Sequence, residues 1–257
     1  MDSDGVRRTP AIGDIAATAA GRGEMKKKAK KRPLAKARKR AARPDYTAPA
    51  RLEKIFTALD TLFPAAECAL RHENAFQLLV ATILSAQCTD ERVNKVTPEL
   101  FQNHPTPQDL AALDQKVLEQ EIRSTGFFRN KAKNIIGAAR AIVSDFAGEV
   151  PRTMDEMLKL PGVARKTANV VLGTAFGLPT GVVVDTHVFR ITHRLKLSKE
   201  KTPEKVEQDL MKLVPQERWI SFGHQVIWFG RKVCQARKPL CADCPLEPTC
   251  DSPDKTV

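Results

Sequence analysis

A chain of 257 residues, 42% of them hydrophobic, can bury one large core or two modest ones. Its formal net charge of +12 invites a nucleic-acid partner, yet eleven Lys and Arg lie in residues 26–43 with no acid among them, which leaves residues 44–257 close to neutral. No apolar run approaches a membrane span and no apolar segment of a secretory signal opens the chain, so a soluble, intracellular protein is expected, with no membrane partner.

Residues 1–45 are expected to form a disordered basic extension, rich in Ala, Lys and Arg and without aromatic residues. Such a tail either holds phosphates loosely and salt-sensitively or serves only to solubilise or target the chain. Any specific nucleic-acid binding must therefore come from residues 46–257, where the periodicity is helical. Leu52, Ile55, Phe56, Leu59 and Phe63 form one apolar stripe, and Phe76, Leu79, Val80, Ile83 and Leu84 a second. Thr106-Pro107-Gln108-Asp109 reads as cap, first-turn proline and first-turn acid of a helix with the stripe Leu110, Leu113, Val117 and Leu118. Thr153-Met154-Asp155-Glu156 has the spacing of a capping box, and Thr202-Pro203-Glu204 is another start signal. Only Val182-Val183-Val184 has a strand character, too short to establish a sheet. The fold class is all-α.

Leu160-Pro161-Gly162-Val163-Ala164-Arg165-Lys166-Thr167-Ala168 joins a tight turn to a helix. Glycine tolerates positive φ and lets a phosphate approach the backbone. The N–H groups of Gly162, Val163 and Ala164, backed by a helix N-terminus, favour an anion and read no bases. Lys166 offers an amine nucleophile. Asp185 comes 19 residues later and offers a carboxylate. Each has an ordinary reading in isolation. A lone helix lysine is a solvated surface residue, and Asp185 opens the stripe Val188, Ile191 and Leu195 as a natural N-cap. Together the parts suit covalent chemistry on DNA.

Cys234, Cys241, Cys244 and Cys250 have the spacing C-x6-C-x2-C-x5-C. A disulfide framework does not fit an intracellular chain. Structural zinc and an iron–sulfur cluster both accept four cysteines. Zinc sites usually use two short C-x2–4-C pairs, and here there is one. Cys68 and Cys88 lie outside the pattern and are expected in the core.

The hairpin, the lysine–aspartate pair and the cysteine signature resemble the endonuclease III family of DNA glycosylases, from about Arg51 to Cys250. The resemblance implies two helical domains. A six-helix barrel carrying the helix-hairpin-helix would span residues 68–178. A discontinuous iron–sulfur domain would be built from residues 46–67 and 179–257, with DNA in the cleft between them. It further implies a base-excision-repair enzyme, a bifunctional glycosylase and AP lyase acting on oxidised pyrimidines in double-stranded DNA, or on abasic sites, as a monomer. Lys166 matches the lysine that forms a Schiff base, and Asp185 the catalytic aspartate. Gln87 matches a residue that inserts into the duplex, and Phe127 a hydrophobic wedge; paired Phe127 and Phe128 are otherwise ordinary core residues. Gly162, Val163, Ala164 and Arg165 fall on the hairpin's DNA contact, and Asp90 and His187 on positions near the pocket, where His187 is expected to contact the DNA. The four cysteines match the ligands of a structural [4Fe–4S] cluster, with zinc as the alternative. That cluster would pin Arg237 and Lys238 towards a phosphate backbone. His193 and His224 are expected to make structural hydrogen bonds. The family's hairpin usually has a second glycine where Ala164 stands, and if that position needs positive φ, alanine costs on the order of 1 kcal/mol. A monofunctional glycosylase lacks the lysine, and a non-catalytic hairpin module needs neither Asp185 nor the cluster. The compartment implied is cytoplasm or nucleoid in a bacterium, nucleus or mitochondrion in a eukaryote.

Overall fold

Apolar stripes at helical spacing become eleven α-helices in the computed structural model, which describes residues Asp45–Thr256. The expected basic extension lies outside the described residues, Asp45 excepted. The helices are α1 (Pro49–Leu62), α2 (Ala75–Leu84), α3 (Asp90–Asn103), α4 (Pro107–Ala112), α5 (Gln115–Glu121) and α6 (Phe128–Asp145), followed by α7 (Met154–Met157), α8 (Arg165–Phe176), α9 (Thr186–Arg194), α10 (Pro203–Leu213) and α11 (Trp219–Lys232). Among the described residues there is no strand, and Val182–Val184 form a buried, irregular connection. No helix among them is long and apolar enough to cross a membrane.

Local signals set most boundaries. Asn74 and Thr89 cap α2 and α3 by accepting from the N–H groups of Gln77 and Arg92. Thr106 and Asp109 close a full capping box on α4, with Pro107 at the first position. Thr153 accepts from Glu156 N–H, but the helix it opens is a single turn. Thr202 makes no side-chain cap on α10, so Pro203 is the surviving start signal. One expectation fails. The stripe Leu110–Leu118 is not one helix: Leu113 is extended at ψ 141, and Asp114 accepts from Lys116 N–H to start α5. Val117 then points outward, at 43% exposure. An aspartate ready to cap the next helix outweighs the continuity of the apolar pattern.

The buried apolar side chains fall into two cores. One is built from α2 to α8, with Leu79, Leu84, Ile135 and Leu172 at its centre. The other joins α1 to α9, α10 and α11, through Ile55, Leu59, Val188 and Phe229. Burying each such side chain contributes roughly 1.5–3 kcal/mol, so α1 is held by the residues at the far end of the chain. Cys68 and Cys88 pack partly buried against the first core.

A buried polar link crosses from α8 to α10. Glu207, 4% exposed, accepts from Arg165 Nε at 2.8 Å and Asn169 Nδ2 at 2.7 Å, and Thr180 donates to Asn169 Oδ1 at 3.0 Å. A carboxylate so placed is tolerable only because its oxygens are paired. It also explains Gly181, where a Cβ would stand 2.0 Å from Glu207 Oε1. The chain entering Val182–Asp185 is thereby threaded past this pair.

Candidate active site and cysteine cluster

The Pro161-Gly162 turn delivers Lys166 to the first turn of α8. Gly162 sits at φ +77, and a Cβ there would meet Asn134 Cβ at 2.7 Å, so both backbone and space require glycine. Ala164 is extended, at φ −94 and ψ 169, and is the N-cap of α8. The position needs no positive φ, so alanine carries no strain here. The three N–H groups assigned to an anion are not equivalent. Val163 N–H is spent on Leu160 O at 3.1 Å, and its side chain is 8% exposed in the first core. Gly162 and Ala164 are exposed. Of the three, only Val163 thus has its N–H turned inward, and the exposed backbone lies on either side of it. Arg165 Nε is taken by Glu207, which raises the arginine's pKa and leaves the outer guanidinium nitrogens out of that hydrogen bond.

Asp185 opens α9 as its N-cap, Oδ1 accepting from the N–H groups of His187 and Val188, both at 2.8 Å. One carboxylate oxygen is fixed and the other, Oδ2, is spared from the cap. Lys166, exposed, and Asp185, half-buried, line one solvent-open cavity. Val170 and Val183 form its apolar side, and Glu67, Cys68, Asp90, His224, Trp228 and Arg231 complete much of the rest. Asp90 accepts from Arg231 Nη2 at 2.6 Å. Burial holds the His224 imidazole below its usual pKa, with Glu67 opposing, and its Nε2 lies 3.3 Å from Thr174 Oγ1. Burial pushes the Cys68 thiol up. His187 stands beside Asp185, and a Cβ at Gly230 would meet its ring at 2.9 Å. Burial lowers the His187 pKa, Asp185 opposes, and Arg190 and Arg231 reinforce the lowering. His193 bridges Phe189 O and Glu200 O at 2.7 and 2.9 Å, the structural role expected of it.

Glu67, Trp228 and Arg231 were not legible as site residues. Trp228 and Arg231 lie three residues apart on α11 while Glu67 is far away in sequence, and only Arg231, three residues before Cys234, has any local association with a motif. Gln87 and Phe127 are exposed on two separate loops, and both are left-handed, at φ +53 and φ +48. Phe127 is 66% exposed while Phe128 packs on the first core, so the pair divides between surface and core.

Cys234, Cys241, Cys244 and Cys250 line a second cavity with apolar walls from Ile191, Leu195, Phe229 and Leu240, and all four thiols are free. Burial is the largest influence on Cys244 and raises its pKa; the charges of Cys234, Cys250 and Cys241 add to it. Among the described residues no group of three or more His, Cys, Asp or Glu side chains is so gathered that it could hold a metal ion. Helix α9 ties this cavity to the first. Arg190 donates to Gly230 O at 3.1 Å and Cys234 O at 2.9 Å. Arg194 donates to Cys234 Sγ at 3.3 Å, Gln235 O at 2.7 Å and Ala236 O at 3.0 Å, and pairs with Asp254. These contacts fix the backbone immediately before Arg237 and Lys238, which are exposed. Arg190 and Arg194 are four residues apart, a spacing that places both on one helix face.

Residues 80–216 match the HhH-GPD superfamily of base excision DNA repair proteins. The chain is 58% identical over 202 residues to an endonuclease III of Synechocystis sp., covering 79% of this chain and 92% of that protein. It is 49% identical over 200 residues to an endonuclease III of Bacillus subtilis, covering 77% and 91%. Among solved structures, a trapped endonuclease III–DNA covalent intermediate with an estranged adenine superposes with a TM-score of 0.77 at 46% identity, covering 79% of this chain and 96% of that one.

Proposed function

The chain belongs to the endonuclease III family, base excision repair DNA glycosylases with AP lyase activity, and from that premise we propose that Lys166 and Asp185 carry the reaction on oxidised pyrimidines in duplex DNA. What carries this reading is that α8 and α9, rooted in different cores, bring an exposed amine and a half-fixed carboxylate to one cavity beside a hairpin suited to phosphate.

The damaged nucleotide leaves the stack and enters the cavity. The neutral Lys166 Nζ attacks C1′, the glycosidic bond breaks, and the base departs with the bonding pair and is protonated from water. Asp185 Oδ2 accepts the proton the amine sheds, or balances positive charge on the sugar. Ring opening gives an iminium joining Lys166 to C1′. Loss of a C2′ proton then expels the 3′ phosphate by β-elimination, and water releases the lysine. The hairpin backbone, Arg237 and Lys238 hold phosphates without reading bases. Gln87 and Phe127 fill the space the base leaves. His187, beside Asp185 at the start of α9, contacts the DNA at the edge of the cavity. The two cores support the expected division into a hairpin-bearing domain and a discontinuous cluster domain, with DNA across their junction. The bacterial relatives suggest action in the cytoplasm, on the nucleoid.

A duplex with one thymine glycol tests the activity. Free thymine glycol and a strand bearing an unsaturated aldehyde at its 3′ end are expected in equal amounts. Free base without strand cleavage would mark a monofunctional glycosylase, and neither product a binding module.

For the cysteine cavity we propose a [4Fe–4S] cluster held by Cys234, Cys241, Cys244 and Cys250; the thiols are not gathered tightly enough for a single metal ion, and a cluster of four irons, which keeps its four thiolates farther apart, suits the shared cavity better. The four thiols share one cavity with apolar walls, and Arg194 offers a cation to Cys234 Sγ. The bound cluster supplies structure, ordering the loop that carries Arg237 and Lys238. Purified protein is expected to be brown, to absorb in the visible, and to contain iron in the cluster's proportion. Stoichiometric zinc in place of iron would overturn the assignment.

A further inference from the structure

Lys131 falls on the apolar face of α6, at helical spacing from Ile135, Ala138 and Ile142, and is only 4% exposed. A lysine so placed must use its donors internally, because a buried ammonium is costly unless its N–H groups are taken up. Its Nζ donates to Leu84 O and to Thr125 O, each at 2.8 Å. Burial pushes its pKa below the usual lysine value.

The two acceptors lie at matching places. Leu84 is the last residue of α2, and three residues on the chain reaches Gln87 at φ +53. Thr125 ends a short turn of 3-10 helix, and two residues on the chain reaches Phe127 at φ +48. Non-glycine residues adopt such backbone only where surrounding contacts enforce it. Here the contact common to both approaches is one ammonium.

We propose that Lys131 is a positioning residue that clamps the Gln87 and Phe127 loops into a single unit, so that both side chains enter the duplex together. The clamp presupposes the proposed role of these two residues in filling the space left by the extruded base. A duplex substrate needs that insertion, whereas an abasic site in single-stranded DNA has no stack to open. The clamp therefore acts on one substrate and not the other.

The test compares single-turnover excision of thymine glycol from a duplex with β-elimination at an abasic site in a single strand, alongside fluorescence of 2-aminopurine placed opposite the lesion. Lys131→Met is expected to slow the duplex reaction at least tenfold and to suppress the fluorescence rise, while single-strand cleavage stays within twofold of wild type. Equal slowing on both substrates, or none on the duplex, would overturn the proposal. Should Lys131→Met fail to fold, Lys131→Gln, whose amide is too short to span both carbonyls, is expected to lower the duplex-to-single-strand ratio at least threefold. An unchanged ratio refutes the clamp. Phe127→Ala and Gln87→Ala separate the clamp from the insertion it serves. If they lower the ratio and the Lys131 variants do not, the clamp alone is wrong. If they leave it unchanged, the insertion role falls, and the clamp with it.

Discussion

Lys166→Ala is expected to lower strand cleavage at an abasic site by about a thousandfold or more, at unchanged DNA affinity. A thousandfold corresponds to about 4 kcal/mol of transition-state stabilisation. The size follows from the proposed chemistry. Without the amine no iminium forms, and the C2′ proton loses the electron sink that makes it removable. Affinity should survive because the phosphate contacts come from the hairpin backbone, whose geometry depends on Gly162 and Asn134 rather than on Lys166. Lys166 is exposed in the first turn of α8, so truncating it leaves no cavity in the core. The check is single-turnover cleavage of an abasic duplex together with a binding isotherm at the same salt concentration. A residual rate within tenfold of wild type would remove Lys166 from the chemistry.

Asp185→Asn is expected to lower base excision about a hundredfold while leaving thermal stability nearly unchanged. The two properties separate because Asp185 has two jobs. Its Oδ1 caps α9, accepting from the N–H groups of His187 and Val188, and asparagine caps a helix about as well as aspartate. The proton acceptor and the negative charge are lost, a contribution that commonly amounts to about 10²–10⁴ in rate. Asp185→Ala removes both functions and should also cost about 1 kcal/mol of stability. Excision rates set beside thermal melting for both variants distinguish the roles. Wild-type excision by Asp185→Asn would reduce the residue to a helix cap.

Much of this site was legible in the sequence because its chemistry is packed into short spacings. Asp185 was readable both as a cap and as a carboxylate opposite a lysine, and the structure gives it the cap together with a place in the cavity. The helix start at Thr106 was readable because a capping box is local. The break at Leu113 was not, since the apolar stripe continues across it and only the Asp114 cap reveals the new start. Ala164 looked like a departure at a strained position, but strain depends on φ, and at φ −94 there is none. The hairpin likewise looked like three equivalent donors until Val163 N–H was found turned inward to Leu160. His224, Trp228 and Arg231 share one face of α11 at helical spacing, but which cavity that face meets, together with the distant Glu67, is set by tertiary packing that no spacing rule gives. Lys131 was within reach, because a lysine at a core position of an amphipathic helix signals a buried partner, but not which carbonyls it would find. Arg190 and Arg194 belong to the same class: their four-residue spacing is visible, and their grip on the cysteine loop is not.

At the heart of the proposed mechanism, an amine on the first turn of α8 becomes covalently joined to the sugar of the damaged nucleotide. Borohydride reduction during reaction with a thymine-glycol duplex, with mass mapping of the adduct, tests it directly. One protein–DNA adduct is predicted, with the added mass on the peptide containing Lys166. An adduct confined to another lysine, or no adduct while free thymine glycol is still released, would contradict it.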